Sequence, residues 1–244
     1  MDIQNAFAAC EATIWRIDPD RYFSTLFAPA DKRPLLFALY AFNNEVARIG
    51  ELVREPMMGE IRLQWWRETV EGALEGKPRA HDVARALAEL FARVQLPLDL
   101  VGSMIDARSF DVSPETFADD AARDAYLDAT SGNLMRLAAR ALGAGAAHDA
   151  LAREAGIAYG LAGLLRSQSF HRARGKTFIR NASAAAAEAR AHYSRANRLP
   201  KPGAALAAFL PAALVPLYLR NPAKEVPQYR KQLALLGAAM RGYV

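Results

Sequence analysis

The chain carries two sets of side chains that could bind a charged ligand, one acidic and one basic. Carboxylates supply the hard oxygen ligands that Mg²⁺ prefers, whereas guanidinium groups bind phosphate or carboxylate without a metal. The acidic candidates are Glu45, Glu51, Asp106, Asp111 and Asp128. The basic candidates are Arg48, Arg166, Arg172, Arg174 and Lys176. Scattered acids are most often solvated charges on helix faces, so the acids alone do not predict a metal site.

The composition is that of an ordinary globular protein rich in helix. Of the 244 residues, 52% are hydrophobic and 23% are charged, and alanine is far commoner than the β-branched residues. The 31 basic and 26 acidic side chains give a net charge of +5, which is too small to indicate nucleic-acid binding on its own. Basic residues interleaved with aromatic ones, typical of nucleic-acid binding, are also lacking. Cys10 is the only cysteine, which excludes an intramolecular disulfide and a cysteine-based zinc cluster.

Apolar residues recur at helical spacing along most of the chain. Leu35 to Ile49 form one apolar stripe, His81 to Val94 form an amphipathic helix, and Ala147 to His171 form a long apolar one. Asn181 to Asn197 are alanine-rich and also helical. Alternation of strand period is essentially absent, so we predict an all-α fold of eight to ten helices in a single domain over residues 1–244.

The longest apolar run does not predict a membrane-spanning helix. Ala204 to Leu219 is shorter than the roughly 20 residues that a span requires, and it contains Pro211 and Pro216. The N-terminus lacks a basic segment followed by an apolar one, so no secretory signal is expected. We therefore predict a cytoplasmic protein. The apolar run, together with the basic residues, leaves peripheral contact with the inner face of the membrane as a further hypothesis.

The stretch from Gly163 to Arg180, GLLRSQSFHRARGKTFIR, resembles the second aspartate-rich motif of the squalene/phytoene synthase family, N-I-L-R-D-x-x-E-D-x-x-R-G-R-x-Y-L-P. The frame is kept at Arg166, Arg174 and Lys176. The three acidic positions of the family motif are occupied by Ser167, Phe170 and His171.

A second stretch, ALYAFNNEVARIGE from Ala38 to Glu51, is similar to the family's first motif, A-x-Y-A-F-C-R-x-x-D-D-x-x-D. Tyr40 and Phe42 fall in frame. The positions that follow differ from the family pattern or lie between its fixed residues: Asn43, Asn44, Glu45, Ala47 and Arg48. Only Glu51 keeps a carboxylate. Two weaker similarities, RLQWWRE from Arg62 and YLDATSGNL from Tyr126, support the same frame, and the resemblance covers residues 18 to 180.

The resemblance implies a helical bundle of the isoprenoid synthase type with a central apolar cavity. In that family, carboxylates on two facing helices bind about three Mg²⁺ ions that stabilise a departing diphosphate. Replacing those carboxylates, and placing Arg48 at a metal position, disfavours cation binding. We therefore expect no metal and no catalytic residue. The aromatic candidates for lining the cavity are Trp65, Trp66, Tyr126 and Tyr159.

The basic residues have two interpretations. If the family fold brings them to one mouth, they form an anion site that needs no metal. Alternatively, they form a surface paired with acids such as Glu45 and Glu51. His171 is either a ligand or acid catalyst, or a capping residue near a helix end.

Local similarity is greatest to a subgroup of the family that includes the phytoene-synthase-like assembly factor of mitochondrial respiratory complex I. The segment FNNEVA matches the F-N-x-E-x-A of that subgroup. This implies a non-catalytic protein of respiratory complex I assembly, or one that binds a hydrophobic ligand, with a respiratory-complex subunit or an isoprenoid-like ligand as partner. The alternative is an active head-to-head prenyltransferase of the squalene/phytoene synthase type. It would act on farnesyl or geranylgeranyl diphosphate and hold Mg²⁺ through displaced ligands.

Overall fold

The computed structural model describes residues 2–53 and 55–244, and these residues are almost entirely helical, with no β-strand among them. The prediction of an all-α fold is confirmed. The α-helices are α1 (Ile3–Ile17), α2 (Pro19–Thr25), α3 (Arg33–Ala47), α4 (Ile49–Leu52), α5 (Pro56–Leu74), α6 (Asp82–Arg93), α7 (Leu98–Ala107), α8 (Ser109–Val112), α9 (Asp120–Leu127), α10 (Asn133–Ala141), α11 (Asp149–Arg166), α12 (Gln168–Ala173), α13 (Ala182–Ala196), α14 (Leu206–Phe209), α15 (Val215–Tyr218) and α16 (Gln228–Arg241).

The described helices outnumber the eight to ten predicted because several predicted helices are interrupted. The long segment from Ala147 breaks at Ser167, whose hydroxyl donates to the Gly163 carbonyl at 2.9 Å and competes with the helical ladder. Between α9 and α10, residues Asp128–Gly132 form one π-helical turn. Near the C-terminus, Pro211 and Pro216 divide the chain into short helical pieces.

The middle of helix α3 lies in the core of the bundle. The apolar stripe expected from Leu35 to Ile49 is buried, and so is every other residue from Leu35 to Phe42, so the buried surface is wider than one stripe there. A helix that is apolar all round belongs inside a bundle, and α1, α6 and α10 pack against α3. Helix α3 ends at Ala47, and Ile49 begins the short helix α4, which turns the chain outward.

The apolar run from Ala204 to Leu219 lies in the core. Phe209, Leu210, Leu214 and Val215 are completely buried. Most side chains of this run are covered by the bundle, so they are not available for the membrane contact that was hypothesised. None of the described helices is long and apolar enough to cross a bilayer.

A buried polar network ties α9, α11 and α13 together. His192 Nδ1 lies 2.8 Å from Glu154 Oε2, and its Nε2 lies 3.4 Å from Asp124 Oδ2. Arg195 donates to Glu154 at 2.7 Å, and Arg123 donates to Asp124 at 2.9 Å. Burial acts to raise the pKa of both carboxyl groups, but the hydrogen bonds and charges of these partners lower each pKa below its ordinary value.

This network predicts a loss of stability in acid. Because the folded pKa values of Asp124 and Glu154 lie below the ordinary values of 3.8 and 4.5, the carboxylates stabilise the folded chain above those values. The contribution disappears as the pH falls through the folded pKa values. We expect Asp124→Asn to flatten the decline in unfolding free energy between about pH 5 and pH 3, measured by urea unfolding. Glu11→Gln, an exposed change on α1, should leave that decline as in the wild type.

Candidate functional site

One cavity of about 1090 Å³ opens between α4, the start of α5, the segment around α8, and α12 with the chain that follows it. Its lining combines apolar, acidic and basic side chains, so it is not the purely apolar cavity that the resemblance implied. The lining residues are Ala47, Gly50, Glu51, Val53, Glu55, Pro56, Arg108, Asp111, Val112, Ser113, Pro114, Tyr126, Leu164, Phe170, His171, Ala173, Arg174, Gly175, Lys176 and Phe178.

A triad of Arg108, Asp111 and Tyr126 forms one wall. The Arg108 guanidinium donates to the Tyr126 hydroxyl at 2.7 Å and to Asp111 Oδ2 at 3.1 Å, and the Tyr126 hydroxyl donates to Asp111 Oδ1 at 2.8 Å. Burial, reinforced by the Asp111 charge, raises the pKa of Tyr126 well above its ordinary range, so the phenol stays protonated. Both oxygens of Asp111 are thereby engaged inside the protein. The Nε of Arg108 is buried without a hydrogen-bond partner.

Lys176 lies in the same wall and is held by backbone carbonyls. Its Nζ donates to the carbonyls of Phe110 at 2.7 Å, Glu115 at 3.1 Å and Ser113, and it lies 4.5 Å from the centre of the Phe110 ring. Burial lowers the pKa of Lys176. These hydrogen bonds connect the segment after α12 to the loop after α8. Lys176 therefore completes the cavity wall and adds a positive charge to it.

The chain reaches this position through a helix end that requires glycine. Gly175 has φ +75°, in the left-handed region, and follows Arg174, the C-cap residue of α12. The Lys176 amide donates to the His171 carbonyl and the Gly175 amide to the Arg172 carbonyl, each at 3.0 Å. This is the Schellman arrangement, which terminates α12 and directs Lys176 back toward the cavity.

His171 and Arg174 lie at the mouth of the cavity beside aromatic rings. The His171 ring lies 4.7 Å from the Phe178 ring, and the Arg174 guanidinium lies 3.7 Å above the Phe170 ring. Burial lowers the pKa of His171, with Asp111 opposing and Arg174 reinforcing the shift, so the imidazole is neutral near pH 7. A neutral imidazole beside a cation can accept a hydrogen bond from a ligand but adds no positive charge.

The remaining first-motif positions are divided between the core and the cavity. Ala47 and Glu51 line the cavity. Tyr40 and Phe42 are buried in the core, and Arg48 is exposed outside the lining. Three half-buried residues also lie outside the lining, namely Asn43, Asn44 and Glu45.

Only two of the five basic residues expected at one mouth line the cavity. Arg174 and Lys176 line the cavity, but Arg166 lies outside the lining with its guanidinium 4.0 Å above the Tyr218 ring. Arg48 and Arg172 are exposed outside the lining, and the half-buried Ser167 also lies outside it. Arg108 supplies a cation that the sequence interpretation missed, because no motif marks it. The alternative of pairing with Glu45 and Glu51 has no example among the ion pairs of the described residues.

Only one of the four aromatic residues expected to line the cavity does so. Tyr126 lines the cavity, whereas Trp65, Trp66 and Tyr159 do not. Trp66 is buried against Phe42, and Trp65 is half-buried with the Arg79 guanidinium 5.0 Å from its ring. The tryptophans therefore belong to the packing between α3, α5 and the start of α6.

The acids that were considered as displaced metal ligands do not form a cluster. Asp106 pairs with Arg67 at 2.8 Å, and Asp128 pairs with Arg136 at 2.6 Å, both outside the lining. Asp111 is engaged by Arg108 and Tyr126. No group of three or more metal-ligating side chains is found within residues 2–53 and 55–244. The lining, with Arg174 and Lys176 among its members, does not fit a Mg²⁺ cluster.

A second polar cluster, absent from the sequence interpretation, is buried away from the cavity. Asp20 accepts from Lys231 at 3.2 Å, from Tyr159 at 2.9 Å and from Tyr218. It connects α2 to α11, α15 and α16. Asp18, next to the same turn, accepts from the Arg21 amide and caps α2. No sequence motif marks the Asp20 cluster, because the partners of Asp20 lie more than 130 residues away along the chain.

The fold is that of the isoprenoid synthases. A crystal structure of a dehydrosqualene synthase superimposes with a TM-score of 0.80, covering 98% of this chain and 97% of that one at 17% identity. Squalene synthase HpnC from Alicyclobacillus acidocaldarius gives 0.72, with 98% and 95% coverage at 17% identity. At such identity these structures establish the fold alone.

The chain belongs to the squalene/phytoene synthase family, since the family pattern matches residues 15–182. The resemblance drawn from the two motifs is therefore confirmed. The human protein NADH dehydrogenase (ubiquinone) complex I, assembly factor 6, is 29% identical over 171 residues, which is 70% of this chain and 51% of the human one. The bovine protein of the same name gives the same identity and coverage. The chain thus spans about half the length of these relatives.

Proposed function

We propose that this chain is a non-catalytic member of the squalene/phytoene synthase family that acts in the assembly of respiratory complex I. The observation that carries the proposal is the chemistry of the cavity wall. Asp111, one of its carboxylates, is neutralised by Arg108 and Tyr126, and Lys176 is built into the same wall. Arg174, which also lines the cavity, can bind an anion directly rather than through bound metal ions.

The names of the human and bovine relatives support the assembly role. Both proteins are named as complex I assembly factors, and the match to each covers 70% of this chain. We extend that role to this chain and place it in the cytoplasm, at the inner face of the membrane in which complex I is built. The partner in this proposal is a subunit or assembly intermediate of the complex.

The cavity itself suits a ligand with an apolar body and an anionic group. Val53, Leu164 and Phe178 provide apolar surface, while Arg174 supplies a cation at the mouth. An isoprenoid-like molecule meets both requirements. Such a ligand would be bound without metal-assisted departure of diphosphate, so binding would not lead to prenyl transfer.

The alternative function, a prenyltransferase with displaced metal ligands, has one observation in its favour. Glu51 and Glu55 line the same cavity as Asp111, so three carboxylates reach its surface. For this alternative, Asp111 would have to leave Arg108 and Tyr126 when the metal binds.

Deleting the gene in the source organism tests the proposed role. We expect a loss of assembled complex I on native gels and of NADH:ubiquinone oxidoreductase activity, both restored by the wild-type gene. Hydrocarbons extracted from the same cells should be unchanged. Normal complex I, or the disappearance of a squalene- or phytoene-like hydrocarbon with complex I intact, would contradict the proposal.

A further inference from the structure

Helix α16 has two apolar faces, and the bundle covers only one of them. The inner face carries Lys231, Leu235 and Ala238, all buried, and it packs against residues 210–214 and α2. The ion pair between Lys231 and Asp20 fixes this helix on the bundle. Because the inner face is held in this way, the outer face is a rigid surface.

The outer face presents a continuous stripe of large apolar and aromatic side chains. The stripe consists of Tyr229, Leu233, Leu236 and Met240, and the exposed Tyr243 follows the left-handed Gly242 that ends the helix. Leu233 and Met240 are 63% and 76% exposed, which is unusual for such residues in the middle and last turn of an ordered helix. Contiguous exposed apolar surface of this kind marks an interaction site.

The spacing of the stripe indicates a helical occupant. Its members are separated alternately by four and three residues, which is the spacing of a coiled-coil seam. Gly237 and Ala239 flank the stripe and are small, so another helix backbone can approach closely. Over its length of about 17 Å, the stripe matches about three turns of a partner helix.

The charges around the stripe define the chemistry of that helix. Arg230 and Arg241 are exposed next to its first and fourth members, and Lys201 lies 5.2 Å from the Tyr243 ring. No acidic residue occurs between positions 226 and 244. Pairing with a second copy of α16 would bring these cations together without a counter-charge, which disfavours self-association.

We propose that the outer face of α16 binds an amphipathic helix of another protein, whose apolar seam is flanked by acidic side chains. The apolar stripe supplies the contact area, and Arg230, Arg241 and Lys201 select an acidic partner. A single helix pair of this length buries less surface than a standard stable interface, so the interaction is reversible. The site is separate from the cavity, because no residue of α16 lines the cavity.

Two synthetic peptides of about three heptads test this inference with the full chain. Both have leucine at the seam positions; one has glutamate at the flanking positions and the other has lysine. By fluorescence anisotropy, we expect the glutamate peptide to bind at least about tenfold more tightly than the lysine peptide.

Substitutions in the chain test the same contact. The doubly substituted Leu233→Glu/Leu236→Glu chain should lose at least about tenfold in affinity for the glutamate peptide, and Arg230→Glu/Arg241→Glu should reverse the preference between the two peptides. Gln4→Glu, an exposed change on α1, is the control for folding and for added charge.

Several results would overturn the inference. Equal affinity for the two peptides, no binding of either, or full binding by Leu233→Glu/Leu236→Glu would each do so. A dimer in sedimentation equilibrium that this double change abolishes would assign the face to a second copy. Flotation with anionic phosphatidylglycerol vesicles that depends on the same two leucines would assign it to a bilayer. The substituted side chains are exposed, so a near-wild-type melting curve should accompany each variant.

Discussion

Replacing Asp20 with alanine should lower the free energy of unfolding by about 3–5 kcal/mol. Asp20 is 5% exposed and Lys231 is 8% exposed, so the change leaves an ammonium group buried without its counter-charge. It also removes the acceptor shared by the Tyr159 and Tyr218 hydroxyl groups. The effect should appear as a lower midpoint in urea unfolding.

Two further variants test whether the effect arises from the buried charge. Asp31→Ala, at an exposed position just before α3, should change the free energy by less than about 0.5 kcal/mol. Asp20→Asn combined with Lys231→Met removes both charges, so it should recover much of the loss. An Asp20→Ala protein within about 1 kcal/mol of the wild type would contradict this account of the cluster.

Replacing Gly156 with alanine should destabilise the chain by about 3 kcal/mol, at the upper end for overpacked cores. A Cβ at this position of α11 would lie 2.6 Å from both the Cα and the backbone N of Gly132, in the π-helical turn. Backbone atoms cannot rotate away as a side chain can, so α11 would have to move off that turn. Because Gly132 follows the helix that bears Tyr126, the cavity wall should also be disturbed.

Gly163→Ala is the matched control on the same helix. A Cβ at Gly163 meets nothing within 4 Å, and alanine is the better helix former, so this change should be neutral or stabilising by up to about 1 kcal/mol. Thermal unfolding of the two variants measures the contrast. Similar melting temperatures for both would mean that α11 does not pack on the π-helical turn as closely as the structure describes.

Local patterns predicted the elements that are amphipathic in themselves. The helix predicted from His81 to Val94 is α6, and the one from Asn181 to Asn197 is α13, each within one residue at either end. Their apolar and polar faces are set by packing on one side only, which gives a clear helical period. Helix α3 was also predicted from its apolar spacing, but the single stripe understated its burial, because every residue from Leu35 to Phe42 is buried.

The candidate site was predicted in outline by the two motifs, and its details depend on tertiary contacts. Glu51, His171, Arg174 and Lys176 line one cavity although the two motifs are more than a hundred residues apart. Arg108 has no neighbouring motif, and its role exists only because Tyr126 and Asp111 meet it there. Likewise, Arg166 is at a motif position, but its contact with Tyr218 takes it out of the lining.

The charged groups in the cavity wall are already paired with other groups of the same chain. The Lys176 ammonium group donates to backbone carbonyls, and Asp111 accepts hydrogen bonds from Arg108 and Tyr126. Binding an apolar anion needs little rearrangement of such a wall. Assembling a cluster of Mg²⁺ ions would require these internal bonds to break, which is the physical basis for proposing a binding role.

The most direct test is an incubation of the pure protein with farnesyl or geranylgeranyl diphosphate, Mg²⁺ and, where needed, NADPH, followed by mass spectrometry of the organic extract. We predict no hydrocarbon product and no release of diphosphate. A squalene, phytoene or presqualene product that is lost in Glu51→Ala would contradict the account, because it would show that the carboxylates of this cavity support prenyl transfer.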